Sequence, residues 1–350
     1  MAEGNRVVTV GVDTHKDAHV AAALDASGAL LGTASFPADA RGYASMVAWM
    51  RAFGRVEAAG VEGTGGYGAG LARALDAAGV RVLEVSAPDR SERRRRGKSD
   101  GIDAEQAARA ALAGTRCAPA KSRCAEMGVL GALEAAYAGA VKARTAALNA
   151  LQAQVVALPE EARAPLRGKG SSELVRACAS MRPGAGSSPE TLAKVALRSL
   201  ARRARMLDEE AKGLEAEIDA LTKALAPSTR SLLGAGPHVA ARLLLAAGAN
   251  VSRLRSEASF SMLCGASPVP VSSGRADRHR LSRAGDRRAN SALYTMAITR
   301  MAHDERTRSY VARRMSEGKT KKDAIRCLKR YIAREAYRAL AQDMEALGMS

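Results

Sequence analysis

The strongest constraint on this fold is a heptad run. Leu200, Ala204, Leu207, Ala211, Leu214, Ile218, Leu221 and Leu225 alternate spacings of four and three, which on an α-helix draws one apolar seam and demands a partner helix. A second run, over 125–158, carries Tyr137, Val141, Leu148, Leu151, Val155 and Leu158, its seven-residue rhythm broken at Arg144. At about 1.5 Å of rise per residue, each helix reaches roughly 50 Å. The segment RPGAGSSPE, rich in Gly, Pro and Ser, separates them. A coiled coil is therefore expected, formed either by an antiparallel pair within one chain or by pairing between chains. Pro227 ends the second run, and an α-rich region is expected from there to about residue 345.

The N-terminal third has a different grammar. RVVTVGVD, AHVAAALD and ALLGTASF read as three strands, with turn-prone DASG between the second and third. A helix over 42–53, a strand at VEAAGVE, a helix at AGLARALDAAG and a strand at VRVLEVS follow. This β-β-β-α-β-α-β order fits a ribonuclease H-like domain. Another helix is expected from Asp100 through AEQAARAALAG. The predicted fold class is thus α/β plus all-α: an α/β domain over 1–122, a coiled-coil region with a central loop over 123–226, and an α-rich domain over 227–350. A chain of 350 residues exceeds the usual size of one core. Aromatics are 3% of the residues against 47% hydrophobic, so Ala, Val and Leu must fill the interiors.

The formal charge is +18, which favours a polyanionic partner through release of condensed counterions. DNA, RNA and an anionic membrane all qualify by charge alone. The surplus is uneven: residues 1–80 hold six basic and eight acidic side chains, whereas 269–350 hold nineteen basic and nine acidic. No apolar stretch is long enough to span a bilayer, and MAEGNRVVTV lacks the basic-then-apolar order of a signal peptide. A cytoplasmic protein with no membrane partner is expected, associated with the nucleoid in a prokaryote. Cys117, Cys124, Cys178, Cys264 and Cys327 form no CxxC pair, which argues against a disulfide framework or a zinc ribbon. They are expected to be buried thiols.

Four carboxylates stand at element ends. Asp13 closes the first strand in VGVDTHKD, and Glu62 ends a later strand in GVEGTGGYG, whose glycines let the backbone turn sharply. Asp100 and Asp103, in KSDGIDAE, share one face of a helix start. Singly, each has a plainer reading as a cap, a dipole partner or a surface charge. Together they make the cluster that phosphodiester chemistry needs, since carboxylates suit Mg²⁺ or Mn²⁺ and two cations about 4 Å apart can activate a nucleophile and stabilise a leaving oxygen. Just before the acidic pair, Arg93, Arg94, Arg95, Arg96 and Lys98 read as phosphate contacts.

A second candidate site is CGASPVPVSSGRADRHRLSRAGDRRANSALY. Ser273 sits beside Arg275, Arg278, Arg280, Arg283, Arg287 and Arg288. The guanidinium groups can bind phosphates bidentately and activate a serine that attacks phosphorus. SSG is also common in plain flexible loops, and Ser272 is the alternative nucleophile. LLGAGPHVAARLLLAAG is similar to a helix-hairpin-helix that offers amides to a phosphate, or is a structural turn. His15, His19, His238, His279 and His303 show no metal-ligand spacing among themselves, and neither a nucleophile elbow nor a Walker A sequence is present.

With those motifs in place, the chain resembles the IS one-ten family of insertion-sequence transposases, bridge-RNA-guided recombinases of the DEDD type. VGVDTHKD, VEGTGGYG and KSDGIDAEQAA look like the three blocks of its RuvC-type domain, and LLGAGPHVAARLL through SSGRADRHRLSRAGDRRANSALY like its C-terminal transposase domain. The resemblance implies that Asp13, Glu62, Asp100 and Asp103 bind Mg²⁺ and that Ser273 forms a covalent link to DNA. It also implies a non-coding guide RNA, donor and target DNA as partners, and a homo-oligomer, dimer or tetramer, in which one subunit completes another's site. Sparse aromatics agree with base pairing, rather than stacking on the protein, as the means of sequence choice. Two alternatives compete: a metal-dependent junction-resolving nuclease, and a non-catalytic architectural nucleic-acid binder whose carboxylates are incidental.

Overall fold

The computed structural model describes residues 6–85, 99–120, 125–250, 254–270, 279–280 and 285–348, with backbone alone at 269–270 and 279–280. Two compact units divide the chain, Met1–Ser122 and Arg123–Ser350.

In the first unit, β1 (Val7–Thr14), β2 (Ala18–Asp25) and β3 (Leu30–Pro37) form the expected antiparallel meander. Asp25 sets the second turn, its carboxylate accepting from the amides of Ser27 and Ala29 at 2.9 Å each. Then come α1 (Ala40–Ala52), β4 (Arg55–Glu62), α2 (Ala69–Ala77), β5 (Arg81–Val85), α3 (Asp100–Leu112) and β6 (Cys117–Pro119). Helix α1 starts two residues before the predicted Gly42 because Asp39 caps it, accepting from the Gly42 amide at 2.7 Å. The strand order is β3-β2-β1-β4-β5-β6, with β1, β4 and β5 parallel and β6 antiparallel to β5. The prediction lacked β6, since a three-residue edge strand has no periodicity to read and exists only through pairing with β5.

Period-2 alternation sorts the two sheet faces. Val8, Val10 and Val12 pack with Met46 and Met50 of α1 and Leu71 and Leu75 of α2. Gly11 faces the other way. A Cβ there would stand 2.0 Å from the Ala108 nitrogen and 2.1 Å from the Ala104 oxygen, so α3 crosses β1 closer than any side chain permits. Gly60, in register with Gly11, serves the same helix from β4, where a Cβ would meet the Ala107 oxygen at 2.7 Å. Helix α3 answers with small residues: Ala104, Ala107, Ala108 and Ala111 are buried.

The second unit is helical. Helix α4 (Ala125–Val156) leads through α5 (Glu160–Arg163), a 3-10 turn (Ala164–Leu166) and α6 (Ser171–Ala179) into α7 (Pro189–Leu225). The long helices pair within the chain and run antiparallel. Met127 and Leu130 share a core with Ile218 and Leu225, Ala140 meets Leu207 and Ala211, and Leu151 and Val155 meet Leu197 and Ala201. The α7 seam lies where predicted, with Ala204, Leu207, Ala211, Ile218 and Leu225 buried. That of α4 is displaced: Leu151 and Val155 are buried, but Glu134, Ala140 and Ala147 hold the centre while Tyr137, Val141 and Leu148 are half-buried at its margin. Alanine lets the two backbones approach, and the larger side chains close the edges. Arg144, the break in the heptad, pairs with Asp208 of α7 at 2.9 Å.

Beyond α7 lie α8 (Pro227–Ser231), α9 (Pro237–Ala247), α10 (Glu257–Leu263), the two-residue antiparallel strands β7 (Val269–Pro270) and β8 (His279–Arg280), α11 (Arg287–His303), α12 (Glu305–Ser316) and α13 (Lys321–Ala346). Leu243, Leu244, Phe260, Leu293, Met296, Ile332 and Leu340 form their common core with the base of the long pair. Asp343, 1% exposed, fastens the last helix to α8, accepting from the Ser228 and Thr229 amides at 2.7 and 2.9 Å and from the Thr229 hydroxyl at 2.7 Å. Among the described cysteines, Cys178 and Cys264 are buried as expected, while Cys117 and Cys327 are half-buried. Among the described residues no helix is long and apolar enough to cross a membrane.

Candidate active site

The three parallel strands end on one side of the sheet, and this is where the acidic residues collect. Asp13 shares the parity of Gly11, so its side chain leaves β1 toward α3. Ser99 starts that helix, its hydroxyl accepting from the Ile102 amide at 3.4 Å, and this cap sets Asp100 and Asp103 in the first turn. The close glycine crossing then brings two segments 87 residues apart in sequence to one point.

His15 bridges them. Its Nε2 is 3.1 Å from Asp13 Oδ2 and 3.5 Å from Asp100 Oδ1. One donor atom from each of Asp13, His15 and Asp100 lies within 4.8 Å of the others. Asp13 is buried, whereas the His15 and Asp100 side chains are 48% and 53% exposed, so the cluster opens to solvent on one side. Two carboxylate oxygens and an imidazole nitrogen form a donor set suited to a divalent cation. Asp103 and Glu62 are not in this tight group. Asp103, in the same first turn of α3 as Asp100, is 4% exposed and its charge acts on Asp13. Glu62 ends β4 beside the end of β1, since Val12 and Val61 are register partners, and its carbonyl accepts from the Thr14 hydroxyl at 2.8 Å. Gly63 follows at φ +68, the sharp turn that the glycine run predicts.

The electrostatics favour a cation here. Burial pushes the Asp13 carboxyl above its ordinary value, and the neighbouring charges of Asp103 and Asp100 push the same way, against the lowering pull of His15. Three carboxylates that repel one another in a half-enclosed site gain from any positive charge placed among them.

The spacing of the histidines among themselves does not mark His15. The signal lies instead in the pair Asp13–His15, a strand-end carboxylate and a turn imidazole two residues apart. His19, by contrast, is fully buried and stacks on Tyr43, ring centroids 5.7 Å apart.

Two family models match segments of this chain. A family model described as "Transposase", for the DEDD type of IS110 elements, matches residues 10–158, and one described as "Transposase IS116/IS110/IS902 family" matches 228–312. The chain belongs to the IS110 family of transposases. One relative, the "Insertion element IS110 uncharacterized 43.6 kDa protein" of Streptomyces coelicolor, is 32% identical over 130 residues, 36% of this chain and 32% of that protein. The match thus spans about a third of the relative's length.

The first family match contains Asp13, Glu62, Asp100 and Asp103, and the second contains the serine-arginine segment. Ser272, Ser273, Arg275, Arg278 and Arg283 lie outside the described residues, as do Arg93, Arg94, Arg95, Arg96 and Lys98. Arg280 is described by its backbone alone, in β8. Arg287 and Arg288 are exposed in the first turn of α11, which Asp286 caps by accepting from the amides of Arg288 and Ala289 at 2.8 and 3.0 Å. The two flanks of the segment are tied together. Asn290 donates to the carbonyls of Cys264 and Gly265 at 2.7 and 3.0 Å, and the Asp286 amide to Leu263 at 2.6 Å. Lys329, 6% exposed, donates to Asn290 Oδ1 at 2.9 Å, an anchor that no motif announced.

Proposed function

We propose that this chain is the recombinase of an insertion sequence, cutting and rejoining DNA strands at a site built on a ribonuclease H-like, RuvC-type domain. The observation that carries this reading is the meeting of Asp13 and Asp100 at the carboxyl end of parallel strands, with Asp103 buried in the same helix turn as Asp100 and Glu62 on the neighbouring strand end. Asp13, Glu62, Asp100 and Asp103 would hold Mg²⁺ or Mn²⁺, which when bound supplies Lewis-acid stabilisation of charge on the scissile phosphate. Ser273 is assigned as the nucleophile. Its Oγ attacks phosphorus as its proton passes to solvent base, and the strand's oxygen departs with the electrons of the broken P–O bond and takes a proton from solvent to become a free hydroxyl. The phosphoserine ester so formed keeps the bond energy until another strand's hydroxyl displaces the serine.

DNA, donor and target, is the proposed substrate. The arginines at 93–96, Lys98, and Arg275, Arg278, Arg280, Arg283, Arg287 and Arg288 are proposed to hold nucleic-acid backbones, while a non-coding guide RNA selects sequence by base pairing. A homo-oligomer would bring an acidic site and a serine from different subunits onto one substrate. The test is a recombination assay with the native flanking DNA and the RNA that copurifies with the protein, resolved on denaturing gels. A protein–DNA adduct that disappears in Ser273→Ala, with strand cleavage lost in Asp13→Ala and Glu62→Ala, is expected. Free ends without an adduct would favour hydrolysis by a nuclease, and full recombination by either carboxylate variant would defeat the assignment.

A further inference from the structure

His15 belongs to no carboxylate tetrad, yet it stands at the centre of the acidic cluster. Its backbone is fixed by the turn between β1 and β2, where the His15 amide donates to the Ala18 carbonyl at 3.2 Å. The next strand end is fixed too, by the bond from Thr14 to Glu62. The imidazole therefore reaches the carboxylates from a braced position rather than from a loose loop.

The distances have a specific meaning. In an octahedral site with bonds of about 2.1 Å, adjacent donor atoms stand about 3.0 Å apart and opposite ones about 4.2 Å. His15 Nε2 lies 3.1 and 3.5 Å from its two carboxylate oxygens, within the range that donors around one ion occupy. An interaction with a carboxylate needs only one such contact. Here a single ring nitrogen faces two carboxylates from different segments, the arrangement in which a cation can replace the ring's proton. The ring is also half-exposed, so an ion arriving from solvent meets it directly.

We propose that His15 is a nitrogen ligand of this cation site and biases it toward first-row transition ions relative to Mg²⁺. The inference rests on the carboxylate site proposed above and concerns the ion that site selects. Imidazole is a borderline ligand that contributes strongly to ions such as Co²⁺ and little to hard, reluctantly dehydrated Mg²⁺. Without the ring, the carboxylates remain as an all-oxygen site. The effect of losing His15 therefore depends on the metal, which the loss of a purely structural contact would not.

The experiment uses the full chain without nucleic acid, so that its readout is independent of recombination. Mn²⁺ is bound to the wild-type protein, His15→Ala and Asp13→Asn, and pulsed electron paramagnetic resonance records coupling to ¹⁴N. Co²⁺ and Mg²⁺ affinities are measured in parallel by calorimetry. Nitrogen coupling in the wild type that vanishes in His15→Ala, while Mn²⁺ still binds, is the expected result. Co²⁺ affinity should fall at least about tenfold in that variant and Mg²⁺ affinity by less than about threefold. Bound Mn²⁺ lacking nitrogen coupling, coupling that persists in His15→Ala, or equal losses for Co²⁺ and Mg²⁺ would overturn the role of His15 and leave the carboxylate site standing. Mn²⁺ binding that is absent from the wild type, or indifferent to Asp13→Asn, would overturn both.

Discussion

Replacing Gly11 with alanine should damage the candidate site without touching any of its ligands. The added Cβ would lie 2.0 Å from the Ala108 nitrogen, 2.1 Å from the Ala104 oxygen and 2.7 Å from the Ala107 carbonyl carbon. All three atoms are helix backbone, so no side chain can swing aside, and ordinary contact at 3.4 Å or more requires α3 to retreat by more than about 1 Å. Overpacking of this kind costs about 1–3 kcal/mol, and a rigid obstacle places Gly11→Ala at the upper end, near 3 kcal/mol. For a domain of this size the melting temperature should fall by about 10 °C. Because α3 carries Asp100 and Asp103 while β1 carries Asp13, the same retreat separates the carboxylates, and Mn²⁺ affinity should fall by about tenfold or more, roughly 1.4 kcal/mol. Gly101→Ala is the control on the same helix. There the Cβ meets only Thr33 Cγ2 at 3.7 Å, and removing a helical glycine should stabilise by up to about 1 kcal/mol. Thermal unfolding and Mn²⁺ calorimetry on both variants decide the matter. A Gly11→Ala protein with wild-type melting and wild-type Mn²⁺ affinity would refute the claim that this crossing assembles the site.

Glu134 is 2% exposed in the α4 seam, where it accepts from His238 Nδ1 at 2.5 Å and Arg242 Nε at 3.1 Å. Glu134→Ala would leave the Arg242 guanidinium and the His238 ring without this acceptor and should destabilise the second unit by about 3 kcal/mol in urea unfolding. Burial raises the Glu134 pKa, but His238 and Arg242 outweigh it, and the net value lies below the ordinary 4.5. Its stabilising contribution is therefore complete above that pH and is lost as pH falls through the depressed folded value; the stability gap between wild type and Glu134→Gln should shrink on acidification, and a constant gap would contradict the assignment. Lys329 presents the opposite sign. Burial, then Arg326, lowers its pKa from 10.5 against a weaker opposing effect of Cys264. The unfolded chain then binds the extra proton, so stability should rise with pH up to about 10.5, and Lys329→Met should flatten that rise in unfolding measured across the alkaline range.

How much of this was legible in the sequence depends on the range of the interactions involved. The heptads of 200–225 placed α7 correctly because a helical seam is written in spacings of three and four. The strands β1 to β5 and their turns were equally local, down to the DASG turn that Asp25 sets, whereas the helix cap falls on Ser99 and not on Asp100. Chain order and element ends also marked Asp13, Glu62, Asp100 and Asp103 as candidates, though only as a set, since each alone has an ordinary reading as a cap or a surface charge.

What needed the folded chain was every distance between remote segments. Nothing local marks Gly11 and Gly60, whose role comes from α3 lying against them, and His15 has no partner among the histidines until Asp100 arrives from 85 residues away. Intramolecular pairing of the long helices, the buried Glu134 among alanines, and the Lys329–Asn290 anchor belong to the same class. Local spacing dictates which face a residue occupies, because backbone geometry repeats every two or 3.6 residues. Which faces meet, and how closely, is decided by packing, where the missing methyl group of Gly11 lets α3 bring Asp100 up to Asp13.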